Sequence, residues 1–299
     1  MTAELTGKPA RGKFAAYLAL TKPRIIELLL VTTVPTMFLA SEGWPNWQTV
    51  IFTLIGGTLA AGGANALNNV VDQDIDLLME RTGHRPLVTG EVSTRGALAL
   101  GLILSFSSVI FLSLLVNILA AALAAGAILF YVFVYTLWLK RRTSQNIVWG
   151  GIAGCFPVLI GWAAVTNTLS WAPVVLFMVV FWWTPPHYWP LSMQYRDDYQ
   201  KSKVPMLPVV APASTVVKNI VIYSWIMAFT SMLLPLVSTV GWIYIVIAAI
   251  ANIIFIYQAH ALQYRVLRNL TAKPMRLFNY SITYLALIFL AVGLDPLIG

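Results

Sequence analysis

The chain reads as an all-α integral membrane protein, one bundle of nine transmembrane helices with its active site at the cytoplasmic side. Three observations predict this. Apolar residues fill 59% of the 299 positions and charged residues only 10%, where a soluble domain carries about a quarter charged. Apolar runs of roughly twenty residues, the length that crosses the hydrocarbon, recur along nearly the whole sequence. The basic residues, finally, fall only at alternate edges of those runs.

The spans run roughly 24–41, 49–71, 95–115, 118–138, 147–165, 172–192, 217–237, 241–261 and 278–296. Residues 1–22 carry no apolar core followed by a small-residue cleavage site, so they read as an uncleaved cytoplasmic tail of a single domain, 1–299. The connections after the first, third, fifth and seventh spans are short and hold no Lys or Arg. The N-terminal edge holds Lys8, Arg11, Lys13, Lys22 and Arg24, and the connection after the second span Arg81, Arg85 and Arg95. After the fourth come Lys140, Arg141 and Arg142; after the sixth, Arg196, Lys201, Lys203 and Lys218. Arg265, Arg268, Lys273 and Arg276 after the eighth complete the nineteen. The positive-inside rule places the N-terminus and these connections in the cytoplasm and the C-terminus outside, in a bacterial inner membrane. The net charge of +8 is thus a topology signal. Divided among five edges, it offers no continuous basic face to a nucleic acid.

Gly56, Gly57, Gly62 and Gly63 with Ala60, Ala61 and Ala64 thin the second span, and Gly150 and Gly154 the fifth, as close helix packing in lipid requires. The one cysteine, Cys155, lies inside an apolar run. It excludes an intrachain disulfide and any cysteine-based metal cluster.

Acidic residues number only eleven, and four of them, Asp72, Asp74, Asp76 and Glu80, gather at the end of the second span. Asn68, Asp72 and Asp76 are four apart, so a continuing helix lines them along one face. Carboxylates at a membrane boundary are costly unless paired or metal-bound. Magnesium uses such oxygen donors and completes its shell with substrate phosphate. The plainer reading, a solvated helix end paired with Arg81 and Arg85, gives Asn68 no task. Arg81 and Arg85 have the planar forks that grip a diphosphate. Lys140, Arg141 and Arg142 stand at another edge of the same side, where topology alone also accounts for them. Asp197 and Asp198 form the second cytoplasmic acid pair, with Lys201 and Lys203 close by. They read either as a second metal-and-diphosphate group, in which Asp198 is a metal ligand and Arg141 and Lys203 hold diphosphate, or as exposed ion pairs.

The run from Asn68 to Gly90, NNVVDQDIDLLMERTGHRPLVTG, resembles the signature of the intramembrane aromatic prenyltransferases. Three further stretches resemble that family's haem branch: YTLWLKRRTSQNIVWGGIAG from Tyr135, FWWTPPHYW from Phe181, and DDYQKSKVPMLPVV from Asp197. The opening LTKPRIIELLL from Leu20 fits as well. The resemblance covers most of the chain and implies nine spans, magnesium as cofactor, farnesyl diphosphate and haem B (protohaem IX) as substrates, and haem O as product. Prenyl transfer to a quinone precursor or a chlorophyll-type ring is the alternative within the family. The implied partners are proteins of the haem pathway or of oxidase assembly. The leaving group falls to magnesium on Asn68, Asp72 and Asp76, aided by Arg81, Arg85 and Lys140.

His187 sits among Trp182, Trp183, Tyr188 and Trp189 beside Pro185 and Pro186. An aromatic belt explains the tryptophans, while His187 reads either as a haem ligand or as a polar side chain filling a Pro-kinked turn. His84 and His260 read as loop and interfacial residues. Two features depart from the family pattern. Its second motif is usually another Asp pair four apart, where this chain has Lys201 and Ser202, and Lys203 stands where relatives commonly have Gly. A transporter predicts acids or broken helices near the midplane and internal repeats; Glu27 is the nearest approach to such an acid.

Overall fold

The computed structural model describes residues 12–298, with side-chain surroundings given for all of these except 24–30; among them there is no strand. Lys8, Arg11 and Gly299, and the side chains of Arg24 and Glu27, lie outside the described residues. The elements are α1 (Lys13–Leu20), α2 (Pro23–Ala40), α3 (Trp47–Val71), α4 (Gln73–Leu78), α5 (Thr94–Leu115) and α6 (Ile118–Leu129). A π-helical continuation of α6 (Phe130–Leu139) leads to α7 (Asn146–Gly150), α8 (Ile152–Thr166) and α9 (Trp171–Gln194). Then follow α10 (Arg196–Lys201), α11 (Leu207–Val210), α12 (Ala213–Ser231), α13 (Trp242–Leu267) and α14 (Pro274–Ile298).

Seven helical stretches among the described residues are long and apolar enough to cross a membrane: Trp47–Val71, Thr94–Leu115, Ile118–Leu139, Asn146–Thr166, Ala213–Leu236, Trp242–Leu267 and Pro274–Ile298. The other two expected spans coincide with α2 and α9. In α2 the apolar stretch within the described side chains is Val31–Ala40. In α9 the Trp, Tyr, His and three Pro of FWWTPPHYWP lower the hydropathy.

Small residues set the helix spacing where backbones meet. Ser108 Oγ donates to the Gly56 carbonyl at 2.7 Å, and a Cβ on Gly63 would stand 2.9 Å from the Gly101 carbonyl, so α3 and α5 lie nearly backbone to backbone. Gly57 and Gly154 do not share this task, since nothing lies within 4 Å of where their Cβ would be. Gly161 does it for α8 instead, against the Thr33 carbonyl of α2.

Around α9 and α12–α14 the core buries Trp189, Tyr244, Phe255, Tyr284 and Phe289 completely. Inside it, Tyr284 OH donates to Asn252 Oδ1 at 2.9 Å and Asn252 Nδ2 to Ser231 Oγ at 2.8 Å. Tyr244 OH adds a bond to the Ser231 carbonyl at 2.7 Å, so these buried polar groups satisfy one another across three helices. Asp295 near the end of α14 is buried and accepts from the backbone amides of Gly241 and of Tyr244, the latter at 2.9 Å. It thereby caps the N-terminus of α13 from a neighbouring helix. At the opposite, basic end of the bundle, the short helices α4, α7, α10 and α11 fold over the ends of α3 and α9. Ile75, Met79, Ile147, Tyr199, Val204 and Met206 form a small core of their own there.

Candidate active site

The face expected of Asn68, Asp72 and Asp76 survives a break in the helix. α3 ends at Val71 and α4 begins at Gln73, yet Asp72 N donates to the Asn68 carbonyl at 2.9 Å and Asp76 N to the Asp72 carbonyl at 2.8 Å. The i, i+4 register therefore runs through the joint. All three side chains are buried, and each is matched by a donor from another element. Lys140 Nζ stands 2.5 Å from Asp72 Oδ2, and Arg85 Nη1 2.5 Å from Asp76 Oδ2. Asn68 donates to Asp72 Oδ2 at 2.7 Å and to Thr136 Oγ1 at 3.2 Å. Two carboxylates inside a ring of cations form a polar pocket that a bundle of this composition would not otherwise bury.

The π-helical stretch delivers Lys140. Its amide bonds to the Tyr135 carbonyl five residues back at 2.9 Å, and Thr136 Oγ1 reaches back to the Tyr131 carbonyl at 2.7 Å. Gly150 makes room for it, since a Cβ there would collide with the Tyr135 ring.

A cation that the sequence did not nominate completes the ring. Lys22 Nζ donates to Asn68 Oδ1 at 2.7 Å. Lys22 has a left-handed backbone, φ 53°, held because Asn65 and Asn69 on α3 donate to the carbonyls of Thr21 (3.1 Å) and Leu20 (2.9 Å). Asn69 also accepts from Arg85 Nη1 at 3.2 Å, so one side chain fixes two of the cations. Burial first, and then the charges of Arg85 and Lys140, push the Lys22 ammonium down to about 7. The only trace in the sequence is a lysine before Pro23, forty-six positions from its partner.

The remaining predicted residues are placed differently. Asp198 is buried, but its Oδ2 accepts from the Arg81 backbone amide at 3.3 Å. Among the described residues no three His, Cys, Asp or Glu side chains come together as a metal cage. Arg141 puts both terminal nitrogens on exposed Asp74 at 2.7 Å, with the Val71 carbonyl at 2.9 Å; Asp72 Oδ1 is 4.0 Å away. That fork holds the Asp74 carboxyl below the usual range. Lys203 is exposed with a left-handed φ of 55°, a conformation that glycine adopts without strain. His187 faces α14. Its ring is stacked between Trp183 (centroids 4.1 Å, 13°) and Phe278 (4.7 Å, 24°), and its Nδ1 lies 2.6 Å from Ser281 Oγ. His84 is an exposed loop residue, and His260 accepts from Trp225 Nε1 at 3.1 Å.

A divalent cation fits the donors at Asp72. Its Oδ1 is enclosed and has no hydrogen-bond partner, an expensive arrangement for a carboxylate unless a cation takes it up. Asn68, Asp72 and Asp76 supply the hard oxygens such an ion prefers.

An all-helical bundle with paired carboxylates and a ring of cations at its basic end defines an enzyme that handles a polyanionic group beside an apolar phase. Residues 29–291 match the model of the UbiA prenyltransferase family, and the chain belongs to that family; it is a prenyltransferase. More particularly, it is 57% identical to a protoheme IX farnesyltransferase of Streptomyces avermitilis, over 97% of this chain and 96% of that one. It is 58% identical to a protoheme IX farnesyltransferase of Clavibacter sepedonicus, over 96% and 94%. Among solved structures, a digeranylgeranylglyceryl phosphate synthase superimposes with a TM-score of 0.77 at 18% identity, covering 95% of this chain and 98% of that one. A UbiA homologue from Archaeoglobus fulgidus bound to GPP and Mg2+ does so with 0.64 at 16%, covering 93% and 99%. These two likenesses are of fold.

Proposed function

We propose that this chain transfers the farnesyl group of farnesyl diphosphate to a vinyl group of protohaem IX, giving haem O, with magnesium as cofactor. The observation that carries the reading is the buried Asn68–Asp72–Asp76 face ringed by Lys22, Arg85 and Lys140, with Asp72 Oδ1 enclosed and without a hydrogen-bond partner. Near full-length similarity to relatives named for this reaction supports the acceptor.

Asn68, Asp72 and Asp76 would hold magnesium, which when bound supplies charge neutralisation for the departing diphosphate. Arg85, Lys140 and Lys22 are preorganised around the same point by Asp76, Asp72 and Asn68, so they need no reorganisation as charge develops on the leaving oxygen. The allylic carbon–oxygen bond breaks with its electron pair leaving on diphosphate. The vinyl carbon of haem donates a π pair to form the new carbon–carbon bond. Water adds to the cation left beside the porphyrin and loses a proton, which gives the hydroxyethylfarnesyl substituent.

His187 is assigned to the haem. Ser281 Oγ donates to the Phe278 carbonyl at 2.5 Å, so its contact with His187 is as acceptor and Nδ1 carries the proton. The lone pair is then on Nε2, the form of imidazole that ligates iron, with the ring fixed by its hydrogen-bonded partner.

All nineteen basic residues lie at alternate edges, which supports a nine-span count including α2 and α9. It also supports a cytoplasmic active site and N-terminus, an external C-terminus, and residence in the bacterial inner membrane. Incubating membranes carrying the protein with protohaem, farnesyl diphosphate and magnesium, followed by mass spectrometry of the haem, tests the reaction. Haem O is the expected product, and unchanged protohaem would refute the acceptor.

A further inference from the structure

The sequence presents two acidic groups at one face, Asp72 with Asp76 and Asp197 with Asp198, the pattern of a diphosphate held through two metal sites. The structure uses the second group otherwise. Asp197 is exposed. Asp198 spends a carboxylate oxygen on the Arg81 amide at 3.3 Å, and Lys201 turns outward to Glu80 at 3.4 Å. Tyr199, between them, is buried against Ile75 and Met79. Its hydroxyl lies against the Arg81 guanidinium and 3.1 Å from the Tyr188 hydroxyl. Arg81 Nε is enclosed and has no hydrogen-bond partner, a donor without an acceptor.

We infer that this chain grips its diphosphate with one divalent cation, at Asn68, Asp72 and Asp76, and that Arg81, braced by Asp198, Tyr199 and Tyr188, supplies the remaining positive pole. The inference rests on the prenyl diphosphate reading above. Charge balance supports it. The site gathers four cations: Arg85 and Lys140 on Asp76 and Asp72, Lys22 on Asn68, and the Arg81 guanidinium in the field of Asp76. With them are three buried carboxylates, Asp72, Asp76 and Asp198, the last held by the Arg81 backbone amide. One divalent ion brings the site to a charge that the roughly three negative charges of a diphosphate ester cancel. A second ion would leave excess positive charge out of water, which is costly. Burial holds the Tyr199 phenol well above its usual range, so it stays a neutral brace for the guanidinium.

Purified enzyme is saturated with farnesyl thiodiphosphate, which resists ionisation, and bound manganese(II) is counted by electron paramagnetic resonance. One ion per bound thiodiphosphate is expected, lost in Asp72→Asn and retained in Asp198→Asn, which keeps the acceptor for Arg81. Two ions, the second lost in Asp198→Asn, would overturn the proposal. Tyr199→Phe should keep the single ion and weaken thiodiphosphate binding by about tenfold, the effect of loosening a charge-assisted contact. Tyr188→Phe, which removes only the outer hydroxyl, should do so less. Unchanged binding in both variants would remove the tyrosines from the clamp. An enzyme that bound thiodiphosphate with one ion yet made no haem O would refute the acceptor reading and leave this one standing.

Discussion

Asp72 and Asp76 do two jobs whose chemistry differs. Each neutralises a half-buried cation, and Asp72 keeps one oxygen free of hydrogen bonds. Asp72→Asn or Asp76→Asn keeps the shape and removes the charge, so turnover should fall by about a hundredfold or more, with the helical circular dichroism spectrum unchanged. Near-normal rates at limiting magnesium would sink the assignment. The two substrates should separate at Arg81 and His187. His187→Ala ought to raise the apparent KM for haem and spare that for farnesyl diphosphate. Arg81→Ala ought to do the reverse, losing roughly 1.5–3 kcal/mol of charge-assisted bonding. Damage to diphosphate affinity alone in His187→Ala would make it a structural histidine. The carboxylate face and Arg85 were legible in the sequence because helical spacing places i and i+4 together whatever the rest of the fold does. Lys22 was not, because its contact with Asn68 depends on how α2 enters the bundle. The contact of Asp198 was not legible, because charge does not reveal that a carboxylate oxygen meets a backbone amide, as its Oδ2 meets that of Arg81. The sandwich around His187 needs Phe278 and Ser281, some ninety positions away, and no local pattern announces it.

The long helices were readable as elements because each needs an unbroken apolar run. The short ones were not, since α4, α10 and α11 are four to six residues long and owe their order to the small core they share. The turn after α10 shows the cost of such a place. Lys203 closes it with a left-handed backbone, its amide on the Gln200 carbonyl at 3.1 Å and the next amide on Tyr199 at 3.1 Å. A side chain in that conformation is strained by roughly 1–2 kcal/mol relative to glycine. Lys203→Gly should therefore raise the thermal unfolding midpoint in detergent without altering farnesyl diphosphate affinity. A fall in affinity would show instead that the lysine reaches substrate.

Across the whole molecule, charge and structure divide the bundle end from end. The ring of cations, the short helices and the small polar core gather at one pole, and the cap that Asp295 places on α13 lies at the other. Because the Lys and Arg of the sequence fall at alternate edges of its apolar runs, a reporter after the second span, near Glu91, should read as cytoplasmic. Reporters between the first two spans and after the last helix should read as periplasmic. A cytoplasmic C-terminus would overturn the nine-span count, whatever the chemistry.

The π-helical stretch Phe130–Leu139 has a consequence for how this gene can change. Five-residue hydrogen bonding gives the helix a wider turn than the α-helix that precedes it, and such segments arise when a helix takes in an extra residue without losing its frame. Lys140 reaches Asp72 from the end of that wider turn. Removing one residue would let the stretch relax toward α geometry and close the widened turn from whose end Lys140 reaches Asp72, while replacing one would leave that turn intact. Val134→Ala should therefore be mild, whereas deletion of Val134 should abolish farnesyl diphosphate binding in a protein that still inserts into the membrane. Among lineages descended from this sequence, the segment should accumulate altered codons at its exposed positions, Phe133, Leu137 and Trp138, and missing codons hardly at all.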